Sequence, residues 1–330
     1  MDTPVRVNPA GVRGPRRMRL NAGQALRVYG TLIALIVLVA AFALFIPEFA
    51  TTTNLLNISL QISFLVMMAV GATIIMAVAE YDLSIGAMAG LGGVLAAELA
   101  IAGVPMWLCF VLALLAGCAI GAVTGWIVTQ FGVLSFITTL AAGTVLSGLT
   151  LQLSGGTTVF DNIPASFTTV GQATAGPVPV PSIVMIALAV LAWIALAQTP
   201  FGRRVYAVGG NEAAARIAGV RVQLVKIIAF ALCAGLAAWT GALLASRLGS
   251  ASPTEGSGLF LQAYAAVFLG MTVFQEGVPN IWGTLVGAIL IGVLEDGLTM
   301  LAVPTPLQDI LTGVIIVAAI VVQKVGQRRP

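Results

Sequence analysis

The sequence predicts an all-α, polytopic membrane protein with about ten transmembrane helices and both termini in the cytoplasm, and three observations predict it. Of 330 residues, 59% are hydrophobic and only 8% charged, where a soluble domain carries about 25% charged residues. Apolar runs long enough to cross a bilayer recur from residue 28 to 323. The fifteen Lys and Arg cluster in three places. They lie at the N-terminus (Arg6, Arg13, Arg16, Arg17, Arg19, Arg27), in a central segment (Arg203, Arg204, Arg216, Arg221, Lys226) and in the tail (Lys324, Arg328, Arg329), with Arg247 standing apart.

A spanning helix needs about 20 mostly apolar residues, and ten runs meet or approach that length. They are approximately 28–47, 58–79, 84–102, 106–129, 132–153, 181–198, 226–247, 259–274, 282–303 and 307–323. Basic residues mark the cytoplasmic side, so an even number of crossings must separate the three basic clusters. Six runs precede the central cluster and four follow it, and both numbers are even. The chain thus divides into a basic cytoplasmic tail (1–27), one transmembrane domain (28–323) with a cytoplasmic loop at 199–226, and a short cytoplasmic tail (324–330). The N-terminus reads as the flank of a retained first helix and not as a cleaved signal, because the apolar run behind it can span.

Composition also excludes. With the basic residues spread over three loops, no single folded basic face is available for nucleic acid. Cys109, Cys118 and Cys233 fall inside apolar runs and imply no disulfide framework. No histidine is present, and no metal or catalytic constellation appears. GxxxxGK[ST] is missing, and the lysines are Lys226 and Lys324 alone. If cargo moves uphill with ATP, another chain must hydrolyse it.

The central loop, TPFGRRVYAVGGNEAAARIAGVRVQLVK (199–226), holds a short helix signal. Asn211 is an N-cap, Glu212 lies in the first turn, Ala213 to Ala215 are strong helix formers, and Gly219 closes the end. It reads either as a helix offered to another protein or as a basic loop that only fixes topology. The longest outer loop, 154–180, is rich in Gly, Thr and Pro with one acid, Asp161, and reads as irregular or short extended structure. RLGSASPTEGSG (247–258) is also placed outside. Arg247 and Glu255 there are available to a partner, or are solvated connector residues. Gly117, Gly121 and Gly125, four apart, mark a close helix–helix contact. A weak similarity between 84–105 and 283–304 hints at duplication.

Ionisable groups inside spans are costly and default to functional hypotheses. Glu80 and Asp82 at the inner end of the second run, Glu98 in the third, and Glu295 and Asp296 in the ninth are the candidates. EYDLSIG (80–86) places Asp82 and Ser84 where one helix stops and another starts, which is how broken helices expose polar groups along a pathway. The alternative is that these acids merely end helices at the water interface.

Taken together, FGRRVYAVGGNEAAARIAGV (201–220), DLSIG (82–86), GWIVTQFGVLSFITTLAAG (125–143) and SRLGSASPTEGSG (246–258) resemble the membrane subunit of ribose-type ABC importers, which carry monosaccharides or autoinducer-2. The resemblance implies alternating access driven by a cytoplasmic ATP-binding subunit, a second permease copy, a periplasmic binding protein and a bacterial inner membrane, with no cofactor or metal on this chain. It implies that Arg203, Arg204, Asn211, Glu212, Ala213, Ala214, Arg216 and Gly219 form the ATPase-coupling loop. Asp82, Ser84, Thr138, Thr139, Glu295 and Asp296 are then expected along the substrate pathway, and Asp161, Arg247 and Glu255 at the docking face. Departures stand beside the match: Ala213 occupies the place of a common second acid, and Ser135 that of a proline. Two rival readings are an ion-coupled secondary transporter using Glu98, Glu295 or Asp296, and an ABC permease of the branched-chain amino acid type.

Overall fold

The computed structural model describes residues 22–274, 277–308, 310–314 and 317, with side chains described from Gly30 onward. The basic tails at 1–21 and 324–330 lie outside the described residues, as does part of the tenth predicted run; its described stretch at 310–314 is helical. Twelve helices follow in order among the described residues. They are α1 (Ala22–Phe45), α2 (Thr52–Ala77), α3 (Ile85–Ile101), α4 (Met106–Phe131), α5 (Ser135–Leu153) and α6 (Ala165–Gln172). Then come α7 (Val180–Gln198), α8 (Pro200–Gly210), α9 (Glu212–Ile217), α10 (Val222–Leu248), α11 (Gly256–Gly270) and α12 (Ile281–Met300). A two-residue hairpin, β1 (Thr174–Ala175) against β2 (Val178–Pro179), lies between α6 and α7.

Six helices among the described residues are long and apolar enough to cross a membrane: α2, α4, α5, α7, α10 and α12. The other runs are shorter in their described apolar part. In particular, α3 has 17 residues and α11 has 15, about 26 and 22 Å at 1.5 Å per residue, against a hydrocarbon core of about 30 Å. The runs at 84–102 and 259–274 are thus helices at 85–101 and 256–270, each shorter than the hydrocarbon core and preceded by a non-helical segment, and are called half-helices below.

Contacts between small residues show how these pieces interlock. Gly117, Gly121 and Gly125 of α4 press on Ala234, Phe230 and Ile227 of α10 in reverse order, so the two helices run antiparallel with their backbones in touch. On the other side of the bundle α2 runs antiparallel to α12, with Thr73 hydrogen-bonded to Thr284 (2.8 Å) and Asn54 to Asp296 (2.8 Å). The half-helices meet at their starts. Gly86 of α3 packs against Gly256 and Phe260 of α11, and Gly90 against Pro253, so they leave that point in opposite directions. Their meeting point lies beside Gly241 of α10, which packs against Ala89.

The result is two interlocked units, each a long helix, a break, a half-helix and a returning helix: α2–α3–α4 and α10–α11–α12. Both breaks leave backbone outside any helix between apolar helices, which in lipid is tolerable only where protein covers it. The core accordingly surrounds them: Met67, Ile75, Ile85, Met88, Phe230 and Leu243 are fully buried.

Two helices escaped the sequence reading. In the outer loop, α6 is docked on α10, where Ser246 Oγ donates to Phe167 O (2.6 Å) and accepts from Gly171 N–H (3.0 Å). On the opposite side, α8 precedes the short helix of the central loop. Thr199 caps it and Pro200 starts it. Gly209 rests on the end of α2 at Ala77, and the Tyr206 hydroxyl donates to Pro279 O (3.0 Å).

Candidate functional site

The short helix forms where its caps predict. Asn211 is extended (φ −159°) and its side chain accepts from Ala214 N–H at 2.9 Å, satisfying one of the free donors of the first turn. Gly219 ends it with φ +81°, a conformation that penalises a side chain. Along its surface Ala213, Ala214, Arg216 and Ile217 are exposed, Ile217 to 89%, whereas Ala215 faces inward. Arg203 and Arg204 are exposed on the neighbouring α8. An apolar residue, Ile217, is thus presented to solvent on α9, with exposed arginines on α8 and α9.

Glu212 does not point away with them. Its carboxylate pairs with Arg216 one turn later (2.8 Å) and with Lys226 of α10 (2.8 Å). The same Lys226 ammonium reaches Glu80, past the end of α2, at 2.6 Å. Lys226 and Glu80 side chains are only 14% and 15% exposed, so this pair is less screened than an ordinary surface bridge. The hydrogen bond from Lys226 holds the Glu212 carboxyl below its usual pKa, with help from Arg216. One cation therefore ties the short helix, α10 and the first break together. A cavity of about 530 Å³ opens beside it, lined by Tyr81, Ser135, Gln223 and these charges.

From Glu80 the chain continues as an irregular segment whose backbone donors are each taken. Tyr81 N–H donates to Ser135 Oγ (3.4 Å), Asp82 N–H to Tyr264 Oη (2.8 Å) and Leu83 N–H to Thr139 Oγ1 (3.0 Å). Asp82 is fully buried, and its Oδ1 accepts from Ser84 N–H (2.9 Å) and Ser84 Oγ. The carboxylate thereby closes the segment just before α3 begins. Tyr264 returns its own proton to Asp82 O (2.9 Å), so a side chain of α11 clamps the break that precedes α3.

A second cavity, about 490 Å³, lies between α2, α10, α11 and α12. Five polar side chains face it: Gln61, Arg247, Glu255, Gln262 and Glu295, among leucines such as Leu60 and Leu244. Gln262 Nε2 donates to Glu295 Oε1, and Glu255 Oε2 accepts from Ser252 N–H (3.3 Å). Arg247 also borders a third cavity, about 720 Å³, beneath the outer hairpin.

The predicted residues are thus sorted. Asp82, Ser84 and Thr139 come together at the first break. Thr138 does not join them; its hydroxyl donates to Leu134 O within α5. Glu295 faces the polar cavity, but its neighbour Asp296 is buried and bonded to Asn54 on α2. Arg247 and Glu255, expected at an outer docking face, line that same cavity, whereas Asp161 is exposed in the outer loop. Glu98 is half-buried near the end of α3. Sequence reading missed Gln61 and Gln262, although a lone amide in an apolar run is itself a signal, and missed the link through Lys226.

Comparison with known proteins adds the family. Residues 54–320 match the family model described as the permease component of the branched-chain amino acid transport system. The ribose import permease protein RbsC of Escherichia coli K12 is 40% identical over 300 residues, covering 90% of this chain and 94% of its own. RbsC of Bacillus subtilis is 36% identical over 307 residues (93% and 95%). The D-allose transport system permease protein AlsC of Escherichia coli is 35% identical over 301 residues (90% and 91%). No solved structure matches. These relatives are transporter subunits, which sets aside the ion-coupled reading built on Glu98, Glu295 and Asp296. With six helices among the described residues long and apolar enough to cross a membrane, a family model over most of its length and sugar permeases aligned along nearly all of it, the chain belongs to the ribose-type permease family of ABC importers.

Proposed function

We propose that this chain is the membrane-spanning subunit of a binding-protein-dependent importer for a monosaccharide or a related small neutral sugar. It crosses the bacterial inner membrane ten times with both termini in the cytoplasm; α3 and α11 complete their crossings with the extended segments before them. It works beside a second permease copy, under a periplasmic binding protein that meets the outer loop around Asp161. ATP is hydrolysed on a cytoplasmic partner, and this chain carries no cofactor.

The observation that carries this reading is the short helix α9, exposed on one face and tied on the other to a break in the membrane domain. Ile217, Ala213 and Ala214 fill a cleft on the ATPase, while Arg203, Arg204 and Arg216 meet its acidic rim through charge-assisted contacts. Asn211 and Gly219 keep the helix short and aimed. ATP-driven closure moves α9, Lys226 carries that movement to Glu80, and Glu80 shifts the strand through Asp82, Ser84 and Thr139 on which α3 rests. An ATPase does work on the cargo only by binding the two permease conformations unequally, and a rigid strand at membrane depth is the part whose two positions it distinguishes.

Uptake in vesicles reconstituted with the ATPase and binding protein encoded beside this chain tests the reading. ATP-dependent accumulation of a pentose or hexose is expected. Accumulation of branched-chain amino acids in place of sugars, or sugar uptake without any ATP-hydrolysing companion, contradicts it.

A further inference from the structure

We infer that the groove between the end of α7, the first turns of α8 and the start of α12 holds one anionic phospholipid. Arg203 takes its phosphate, and Trp193, Tyr206 and Trp282 take its glycerol and upper acyl chains. The inference rests on α7 and α12 crossing the bilayer and not on the identity of the cargo.

Two helices long and apolar enough to span have their ends at this groove: α7 finishes at Gln198 and α12 starts at Ile281. The end of a spanning helix lies at the level of the lipid headgroups, so the groove stands where bilayer meets water, on the side of the basic central loop. Its volume is about 600 Å³. Leu196 and Ile281 line it as buried apolar residues. Trp193 and Trp282 line it with ring centroids 5.9 Å apart, and Trp282 is 40% exposed. Tyr206 completes the aromatic wall and is held in place by its hydrogen bond to Pro279 O. Trp and Tyr gather at the headgroup level because one edge of the ring is apolar and the other polar.

The charge selects an anionic headgroup. Arg203 and Tyr206 lie three residues apart on α8 and so share a face of that helix. Arg216 is paired with Glu212, and Lys226 with Glu80 and Glu212; Arg203 meets no carboxylate among the described residues. A free guanidinium beside an aromatic and apolar wall matches a molecule with a phosphate at one end and hydrocarbon at the other. Its planar fork takes two phosphate oxygens at once. A bare phosphate would leave the tryptophans uncovered, and a choline headgroup would bring a second cation to the arginine. The exposed rim formed by Arg203 and Trp282 leaves the groove open to a lipid that arrives by diffusion in the bilayer plane. With several N–H donors, Arg203 keeps others for the ATPase contact proposed above.

The test titrates the full chain in detergent micelles with dioleoyl phosphatidylglycerol or dioleoyl phosphatidylcholine and counts bound lipid by native mass spectrometry. Phosphatidylglycerol is expected to bind about fivefold more tightly, the size of one arginine's attraction for anionic lipid. Arg203→Gln should abolish that preference at an unchanged unfolding midpoint. Arg204→Gln, which removes the same charge from the neighbouring exposed position, should retain it. Phosphatidylglycerol with a photoactivatable acyl chain should label peptides that contain Trp193 or Trp282. Equal affinity for the two phospholipids, equal effects of Arg203→Gln and Arg204→Gln, or labelling confined to other helices overturns the site. Displacement of phosphatidylglycerol by millimolar inorganic phosphate overturns the lipid as its occupant. Binding is read here without transport, so failure of this inference is distinguishable from failure of the importer reading, which uptake tests.

Discussion

The two breaks in the bundle are built from the same parts but held in different ways. The segment before α3 is fixed from inside the membrane domain: Ser135 and Thr139 of α5, Tyr264 of α11 and the Asp82 carboxylate take its N–H groups, and Lys226 holds its lower end. The segment before α11 is fixed from outside. Ala251 exchanges both backbone hydrogen bonds with Val159 of the outer loop (2.9 and 2.8 Å), Gly249 turns the chain with φ +68°, and Glu255 reaches back to Ser252. One break is thereby wired to α9 and the other to the loop that carries α6, so each is held through its own element.

The comparison predicts an order of sensitivity. The largest effect belongs to Asp82→Leu, which leaves the Ser84 N–H and hydroxyl without their acceptor in a dry site; an orphaned buried polar group costs about 1–3 kcal/mol. Uptake should fall beyond detection and membrane abundance should drop, as measured by transport and immunoblot. Ala251→Pro, at the other break, removes a single donor and should leave at least a tenth of wild-type transport. Equal loss in both variants would erase the distinction between the breaks.

Lys226→Met comes next. It strips both carboxylates of their shared cation, and uptake should fall at least tenfold at unchanged membrane insertion, with an unfolding midpoint below that of wild type; Lys226→Arg should restore most of both. Gly219→Leu forces a side chain into left-handed backbone at a cost of about 1–2 kcal/mol and should weaken co-purification with the ATPase several-fold. Thr139→Val deletes the acceptor for Leu83 N–H, worth about 1 kcal/mol, and should lower the unfolding midpoint by a few degrees. The smallest effect is that of pH. Because the folded state holds Glu212 below its ordinary value of 4.5, the pair with Lys226 contributes fully above that pH. The contribution is lost as pH falls through the folded value. Unfolding midpoints of wild type and Glu212→Gln should therefore converge on acidification below about 4.5 and differ above it.

Much of this architecture was legible from hydropathy and charge, because an apolar run of about 20 residues has few alternatives in lipid. Nine of the ten runs correspond to described helices, and the glycines of α4 face α10 as their spacing requires. What hydropathy does not encode is where a crossing stops being helical: EYDLSIG reads as a point where one helix stops and another starts, whereas SASPTE reads only as a loop beside an apolar run. The short helix was legible because caps are local; Asn211 and Gly219 are each recognisable from their neighbours. The Lys226 link was not, since Glu80 and Lys226 lie 146 residues apart and only tertiary packing brings them together. The partner of Asp296 was equally out of reach, since Asn54 lies 242 residues away in sequence. Gln61 and Gln262 escaped because uncharged amides were not weighed beside the acids.

The most direct measurement of the central claim is site-specific cross-linking from Ile217→Cys, in a background with Cys109, Cys118 and Cys233 replaced by alanine, in vesicles containing the ATPase subunit. The account predicts labelling of Ile217→Cys from the cytoplasmic side alone, cross-linking to the ATPase, and a change in cross-linking yield when ATP binds that Lys226→Met prevents from reaching a reporter placed at Tyr81. Labelling from the periplasmic side, or a Tyr81 reporter that follows ATP equally well without Lys226, contradicts it.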